Sequence, residues 1–320
     1  MPELEIIKAD KTQYRNWVTS EQLDFSGSIF YHPDFLEVAA DILNLQFKPL
    51  ICLSSGKLTG IVNLLIGNRF NVKTALIPRL FQYYGPVAIA GNTDVFEYVT
   101  KTIENEIDTA VFSIRPEESL KPDLCGWHLK NRLTYYLRPD TFENMKSDCF
   151  PDVKNKINKA VKVGIKVENI SQFPYEIYQA SFKRQRATPP LGKELLSVWV
   201  ERLTNLNLAA TFIAVFEGKP VSFRTQLVWG GYAYDWLAGA YPDYNHLGVN
   251  QLLILKIGEQ FYRKSVKNWD LLGGDIKSIA GFKRSFGSIP KTHVQLEKNF
   301  SMKGRIYRLL MRLKAGLRRF

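Results

Sequence analysis

Apolar and polar positions divide the chain into two stretches of similar layout. Ile51-Cys-Leu-Ser-Ser-Gly56-Lys57-Leu-Thr-Gly-Ile-Val-Asn-Leu-Leu65 can be laid over Ile213-Ala-Val-Phe-Glu-Gly218-Lys219-Pro-Val-Ser-Phe-Arg-Thr-Gln-Leu227 at an offset of 162 residues, about half the chain. Each stretch is an apolar strand, a Gly-Lys turn and a second strand, which is hairpin chemistry. A helix over 34–43 precedes the first hairpin and one over 193–206 precedes the second. A helix over 93–107 leads to a strand at 110–114, as a helix over 249–264 leads to one at 268–272. In the latter helix Val249, Leu252, Leu253, Ile257 and Phe261 recur at helical spacing on one face. The second half reads as strand 165–170, helices 175–186 and 193–206, then antiparallel strands 209–216, 221–228 and 232–240. Helix 249–264, strand 268–272, helix 276–286 and strand 292–297 follow. A sheet that begins antiparallel and gains a parallel neighbour through a helix crossover predicts an α+β fold, here in two tandem copies, each a mixed sheet flanked by helices. The expected domains are 1–145 and 146–300, divided where Pro139 and Pro151 bracket a polar stretch, with 301–320 as a separate tail.

Composition narrows the class. With 320 residues, 45% of them apolar and 13% aromatic, the chain can build two cores. No run approaches the roughly 18 apolar residues of a membrane span. The acidic start Met1-Pro-Glu-Leu-Glu has no apolar run and predicts no secretory segment. Cys52, Cys125 and Cys149 are odd in number and lack metal-type spacing, so neither a disulfide framework nor a metal site is expected, and the expected location is cytoplasmic.

The net charge of +12 is unevenly placed. Residues 301–320 hold seven Lys/Arg and no acid, and residues 151–190 hold eight against three acids, leaving 28 of each sign elsewhere. Such clustering points to anionic partners: phosphates, nucleic acid or lipid headgroups. Solvated basic faces are the ordinary alternative.

The element order resembles that of the GNAT acyltransferase fold, and local motifs narrow the resemblance to FemABX-type aminoacyltransferases. Lys154-Asn-Lys-Ile-Asn-Lys-Ala-Val-Lys-Val-Gly164-Ile-Lys-Val167 is similar to the family's R-x-x-I-R-K-A-x-K-x-G-V-x-V opening, with Lys154 and Asn158 in place of its two arginines. Tyr241-Pro-Asp-Tyr-Asn-His-Leu-Gly-Val-Asn-Gln-Leu-Leu253 resembles its strand-loop-helix segment, and Arg79-Leu-Phe-Gln-Tyr-Tyr-Gly-Pro86 a loop of its first domain. Asp270-Leu-Leu-Gly-Gly274 followed by Ile279-Ala-Gly-Phe-Lys-Arg-Ser-Phe-Gly287 resembles its D-x-x-G…F-K-x-x-F-G ending. The resemblance implies tandem GNAT domains and transfer of an acyl or aminoacyl group, from acyl-CoA or aminoacyl-tRNA, to an amine on a phosphate-bearing, cell-wall or glycan precursor-like acceptor. It implies no metal. The acceptor is expected to be a small molecule or lipid-linked. Of the common GNAT pyrophosphate loop, [RQ]-x-x-G-x-[GA], only Gly248 remains, which slightly favours the tRNA donor. The coiled-coil insertion of some relatives has no room within 171–207, which Pro189-Pro190 interrupts.

Acyl transfer to an amine needs a held donor, a polarised carbonyl and a proton acceptor, and requires no covalent enzyme intermediate. The resemblance implies a backbone polariser where strand 232–240 splays from 268–272, and Gly239 suits it. It also implies that Lys283 holds the donor or the developing oxyanion, with Arg284 beside it, although either could be a helix C-terminal cation capped by Gly287. Gly248, Val249 and Asn250 begin a helix whose free N–H groups favour a donor phosphate. Asp270 ranks first as proton acceptor, ahead of Asp275, Asp235, Tyr241 and His246. For the acceptor, Lys156 and Lys159 are i,i+3 neighbours able to converge on one anion, Arg184 and Arg186 are further phosphate ligands, and Tyr84 offers an aromatic wall or core residue.

In the tail, Ile306, Leu309, Leu310, Leu313, Leu317 and Phe320 fall within a roughly 100° arc flanked by cations. Contact with an anionic membrane surface, packing of the stripe on the body and gripping of tRNA phosphates are the three readings. The function expected is therefore an acyltransferase. A non-catalytic GNAT-fold protein that binds nucleic acid or anionic membrane is the alternative.

Overall fold

The computed structural model describes residues 4–19, 28–88, 94–116, 126–139, 142–184 and 186–317; Thr93, Cys125 and 318–320, named above, lie outside them. The chain runs β1 (Leu4–Lys8), α1 (Lys11–Thr19), α2 (Pro33–Leu43), β2 (Gln46–Ser54), β3 (Lys57–Arg69), β4 (Val72–Ala75), β5 (Pro86–Ala88), α3 (Val95–Ile103), β6 (Thr109–Ile114) and β7 (His128–Leu137). It continues with α4 (Phe142–Asp148), α5 (Pro151–Lys162), β8 (Lys166–Ile170), α6 (Tyr175–Arg184), α7 (Lys193–Asn205), β9 (Ala209–Phe216), β10 (Lys219–Trp229) and β11 (Tyr232–Ala240). The last elements are α8 (Val249–Arg263), β12 (Asn268–Asp270), α9 (Lys277–Arg284), β13 (Ile289–Asn299) and α10 (Met302–Leu317).

These elements form two units. Unit 1 comprises Met1–Phe25, Phe30–Arg132 and Thr292–Phe320, and unit 2 comprises Ser26–Ile29 and Leu133–Lys291. In unit 1 the strands β1, β2 and β3 are antiparallel neighbours, β4 and β5 both pair with β3, β4 runs parallel to β6, and β6 is antiparallel to β13. In unit 2 the strands β8, β9, β10 and β11 are antiparallel in that order; β11 then runs parallel to β12, which pairs antiparallel with the end of β7. Both units are thus the mixed sheet that the sequence predicts.

The repeat extends to the turns. Ser55-Gly56 and Glu217-Gly218 close the first hairpins with φ positive at both central residues, and Phe70-Asn71 and Gly230-Gly231 do so in the second. This is the type I′ geometry whose twist matches that of paired strands.

The divisions fall at Leu133 and Thr292, where the sequence placed them after 145 and 300. Tyr135, Leu137, Met145 and Cys149 are buried in the same core as Val153, Ile157 and Trp269, which ties 133–150 to unit 2 despite its bracketing prolines. The strand expected at 292–297 to close the second copy instead belongs to unit 1, where Val294 lies opposite Ile114 and Leu296 opposite Phe112. Every residue of β6 is buried, so this strand needs a partner along both edges. In unit 2, the helical face of α8 read from the sequence, Val249, Leu252, Leu253, Ile257 and Phe261, is buried as expected.

Candidate active site

Unit 2 holds a cleft of about 770 Å³ where β11 and β12 part. The two strands pair only over Tyr232–Asn268, Ala233–Trp269 and Tyr234–Asp270, whereas β11 continues beside β10 as far as Ala240. The chain leaves β11 because Leu271 N–H donates to the Tyr135 carbonyl (2.8 Å) and Leu272 N–H to Asp270 Oδ1 (2.8 Å), with Leu272 in the left-handed region at φ 54°. Thr134 Oγ1 donates to the same carboxylate oxygen. Asp270 is therefore a buried turn-former behind the split, and the cleft is lined by the residues after it, Leu271 to Asp275.

A bulge shapes the opposite wall. Thr225 lies opposite Leu237 and Gln226 opposite Asp235, so Trp236 is the extra residue of β11. The irregularity expected at Gly239 thus lies three residues earlier. Gly239 lines the cleft for another reason: a Cβ there would come 2.7 Å from the Phe223 ring, 2.9 Å from Ser181 Oγ and 3.0 Å from the Ile177 carbonyl, so α6 can approach the strand only at glycine. Ser181 fixes that approach, accepting from Ala240 N–H (3.0 Å).

Ser222, Arg224 and Gln226 alternate on β10, so the period-2 rule places them on one face. All three are buried. Ser222 Oγ lies within hydrogen-bonding distance of the Gly239 carbonyl (2.8 Å) and of Asn250 Oδ1 (3.0 Å), its one proton serving one of them at a time. Arg224 pairs with Asp235, which also accepts from Gln226 Nε2 (2.7 Å); Gln226 in turn accepts from Trp269 Nε1 (2.8 Å). Arg224 further lies over the Phe282 ring, 5.6 Å from its centroid, and its Nε–H has no hydrogen-bond partner. The buried Arg224–Asp235 pair escaped the sequence reading as a unit, although Ser-x-Arg-x-Gln alternation inside an apolar strand was its mark.

Lys283 projects from α9 into this polar floor and lines the cleft. It is 8% exposed, and its ammonium donates to the Leu272 and Gly273 carbonyls. Burial pulls its pKa from the ordinary 10.5 down to about 8, opposed by the nearby Asp235 and Asp270 carboxylates and helped by Arg224. An ammonium has three donors, so one remains for a ligand.

At the start of α8, Gly248 sits at φ 80°, and a Cβ there would fall 2.3 Å from the Lys156 carbonyl. The backbone of α5 therefore closes on this turn, which no side chain caps. Asn250 lines the cleft and donates to Asn245 (3.1 Å), whereas Val249 is a core residue. Two of the cations read as acceptor ligands, Lys156 and Arg184, line the cleft, Lys156 pairing with Asp152 at 2.9 Å. Lys159, Arg186 and Arg284 are exposed and are not among its lining residues. Tyr84 is not an exposed wall but a fully buried core residue of unit 1. Among the described residues no cluster of His, Cys, Asp and Glu could hold a metal ion.

Comparison with known proteins agrees with this geometry. Residues 151–284 match the family described as "Acetyltransferase (GNAT) domain". No curated protein matches the sequence. Among solved structures the chain is similar to FemX at TM-score 0.71 and 10% identity, over 95% of this chain and 99% of that one. It is similar to a tandem GNAT protein from the clavulanic acid biosynthesis pathway at TM-score 0.58 and 12% identity, over 93% and 100%. To L-PGS from Bacillus licheniformis the figures are 0.55 and 11%, over 88% and 96%. The chain has the FemABX-like tandem GNAT fold, and its cleft lies in the unit that carries the GNAT-domain match.

Proposed function

We propose that the protein transfers an acyl or aminoacyl group from a thioester or aminoacyl-tRNA donor to an amine on a phosphate-bearing acceptor, and that the unit 2 cleft is where transfer takes place. The observation that carries the reading is the parting of β11 from β12 over a floor that holds Lys283. Attack of a neutral amine on the donor carbonyl places negative charge on its oxygen. The remaining Lys283 N–H supplies a cationic donor fixed by burial and by two carbonyls, and such a preorganised donor commonly lowers the barrier by about 3–4 kcal/mol. Asp235, Trp236 and Ala238, at and beside the bulge of β11, line the same space. Lys156 and Arg184 suit the phosphate of the acceptor. Closure of α5 on Gly248 holds the start of α8 by protein contacts, which supports an aminoacyl ester over a pyrophosphate wrapped by that turn.

The test is passage of label from acyl-CoA and from charged tRNA, in separate arms, to an amine panel that includes phosphorylated and lipid-linked amines. Lys283→Met is expected to reduce the rate by about 10²-fold or more with the fold retained by circular dichroism. Absence of transfer by the wild type in both arms overturns the reading and leaves the non-catalytic one.

A further inference from the structure

The C-terminal helix α10 is fastened to unit 1 by its polar side. A Cβ on Gly304 would fall 2.1 Å from the Asp108 carbonyl, so the helix backbone lies directly on that loop. Ser301 Oγ donates to Asp108 Oδ1 (2.5 Å) and accepts from Gly304 N–H (3.1 Å). Arg308 makes a two-pronged bond to Glu297 of β13 (3.0 and 2.9 Å), and Arg312 adds a third (2.8 Å). Burial alone would raise the Glu297 carboxyl, but the two guanidinium groups hold it below the usual range.

The consequence is geometric. At about 100° per residue, the docked positions Gly304 and Arg308 lie opposite Ile306, Leu309, Leu310 and Leu313. Those four are 54%, 59%, 59% and 56% exposed, and Met302 at the first turn is also exposed. A helix normally turns its apolar stripe to the body; this one turns it to solvent. Lys303 and Lys314 flank the stripe on one side and Arg305 on the other, all exposed, and the segment contains no acid. Contiguous exposed apolar surface on a soluble protein marks an interaction face.

We infer that α10 is a docking surface for an anionic lipid bilayer, lying in the headgroup plane with Ile306, Leu309, Leu310 and Leu313 in the acyl boundary and Lys303, Arg305 and Lys314 on acidic headgroups. The charge pattern selects this occupant. A second copy of the helix would bring cation against cation with no acid to relieve them. Nucleic acid would engage the cations and leave the leucines in water. No helix among the described residues is long and apolar enough to cross a membrane, so the contact is with the surface. The proposal rests on residues of unit 1 and not on the transferase reading.

The full chain is mixed with vesicles of phosphatidylglycerol and phosphatidylcholine, or of phosphatidylcholine alone, and floated. Strong partition to the acidic vesicles is expected, with Leu309→Ser/Leu313→Ser reducing it about tenfold or more. These positions are exposed, so an unchanged circular dichroism spectrum accompanies the loss. In a second measurement that removes nothing, Leu309→Trp is quenched by brominated acidic lipid. Failure of the wild type to float, equal flotation of the double variant, or no quenching overturns the proposal. So does a dimer that the double variant dissolves without any vesicle binding, or salt-labile RNA binding indifferent to the leucines.

Discussion

The two units solve the same topological problem in opposite ways. Each has a pair of type I′ hairpins followed by a short parallel contact: β4 against β6 at Thr74–Thr109 and Ala75–Ala110, and β11 against β12 at three positions. In unit 2, β11 runs on past that contact beside β10 but without β12, and the space on the β12 side is the cleft. In unit 1, β4 stops at Ala75, and Tyr84 occupies the space. Its N–H and carbonyl bond with Ser113 of β6 (2.9 and 2.8 Å), and its hydroxyl donates to the Leu65 carbonyl (3.0 Å) and accepts from Leu65 N–H (2.9 Å) on β3. One residue thereby ties both facing strands, by its main chain to β6 and by its side chain to β3. Gly85 allows the seal: at φ 118°, with a would-be Cβ 2.6 Å from the Phe112 ring, only glycine follows Tyr84 there. A duplicated scaffold is thus compatible with one copy kept as a packed support and the other kept open for a ligand.

Removing the seal should have the largest effect. Tyr84→Ala is expected to destabilise the protein by about 3–5 kcal/mol in denaturant unfolding, the range for deleting a buried aromatic ring. Tyr84→Phe, which keeps the ring but strands the two Leu65 groups, should cost about 1–3 kcal/mol. A cost near zero for both would mean that Tyr84 does not close the gap. Filling the open copy is the converse experiment. Gly239→Ala pushes a methyl group toward Phe223 and Ser181 and should cost about 1–3 kcal/mol through overpacking. Transfer should fall with it, because Gly239 lines the cleft; full activity would place the donor elsewhere.

Titration of Lys283 sharpens the contrast further. Its folded pKa, about 8, lies below the ordinary 10.5, so between those values the unfolded chain binds a proton that the folded one does not. Stability from this group therefore rises as pH climbs from 8 to 10.5, and Lys283→Met should lack that rise. If the cation assists transfer, the rate should fall above about pH 8, as the same proton is lost. The smallest effect is expected in the sealed unit. Burial pushes the Cys52 thiol up to about 12, so alkylation of the native protein near neutral pH should be negligible until denaturant exposes it.

Much of the scaffold was legible because it rests on local rules. Period-2 alternation and Gly-Lys turns marked both hairpins, and the 3.6-residue spacing of Val249 to Phe261 marked the helix that crosses to β12. The site was legible only where a residue's chemistry is unusual for its place. Lys283 stands between two phenylalanines, and Lys156 and Arg184 lie in the basic segment that reaches the cleft. For Asp270 the sequence shows a carboxylate at a strand end, which looks the same whether it faces a ligand or, as the fold places it, Thr134 and the Leu272 amide. The Arg224–Asp235 pair joins residues 11 apart whose proximity depends on the register of β10 against β11 and the bulge at Trp236.

By itself, the amino-acid order determined the repeated strand-turn-strand words, the helix faces and the cationic, leucine-striped tail, since each depends on residues a few positions apart. Three things were decided only by tertiary structure. They are which copy stays open, which unit receives strand β13, and which side of α10 meets the protein. Each turns on contacts between residues distant in the chain, where a single ring, a carbonyl approaching a glycine or one half-buried carboxylate selects among packings that local preferences leave equal.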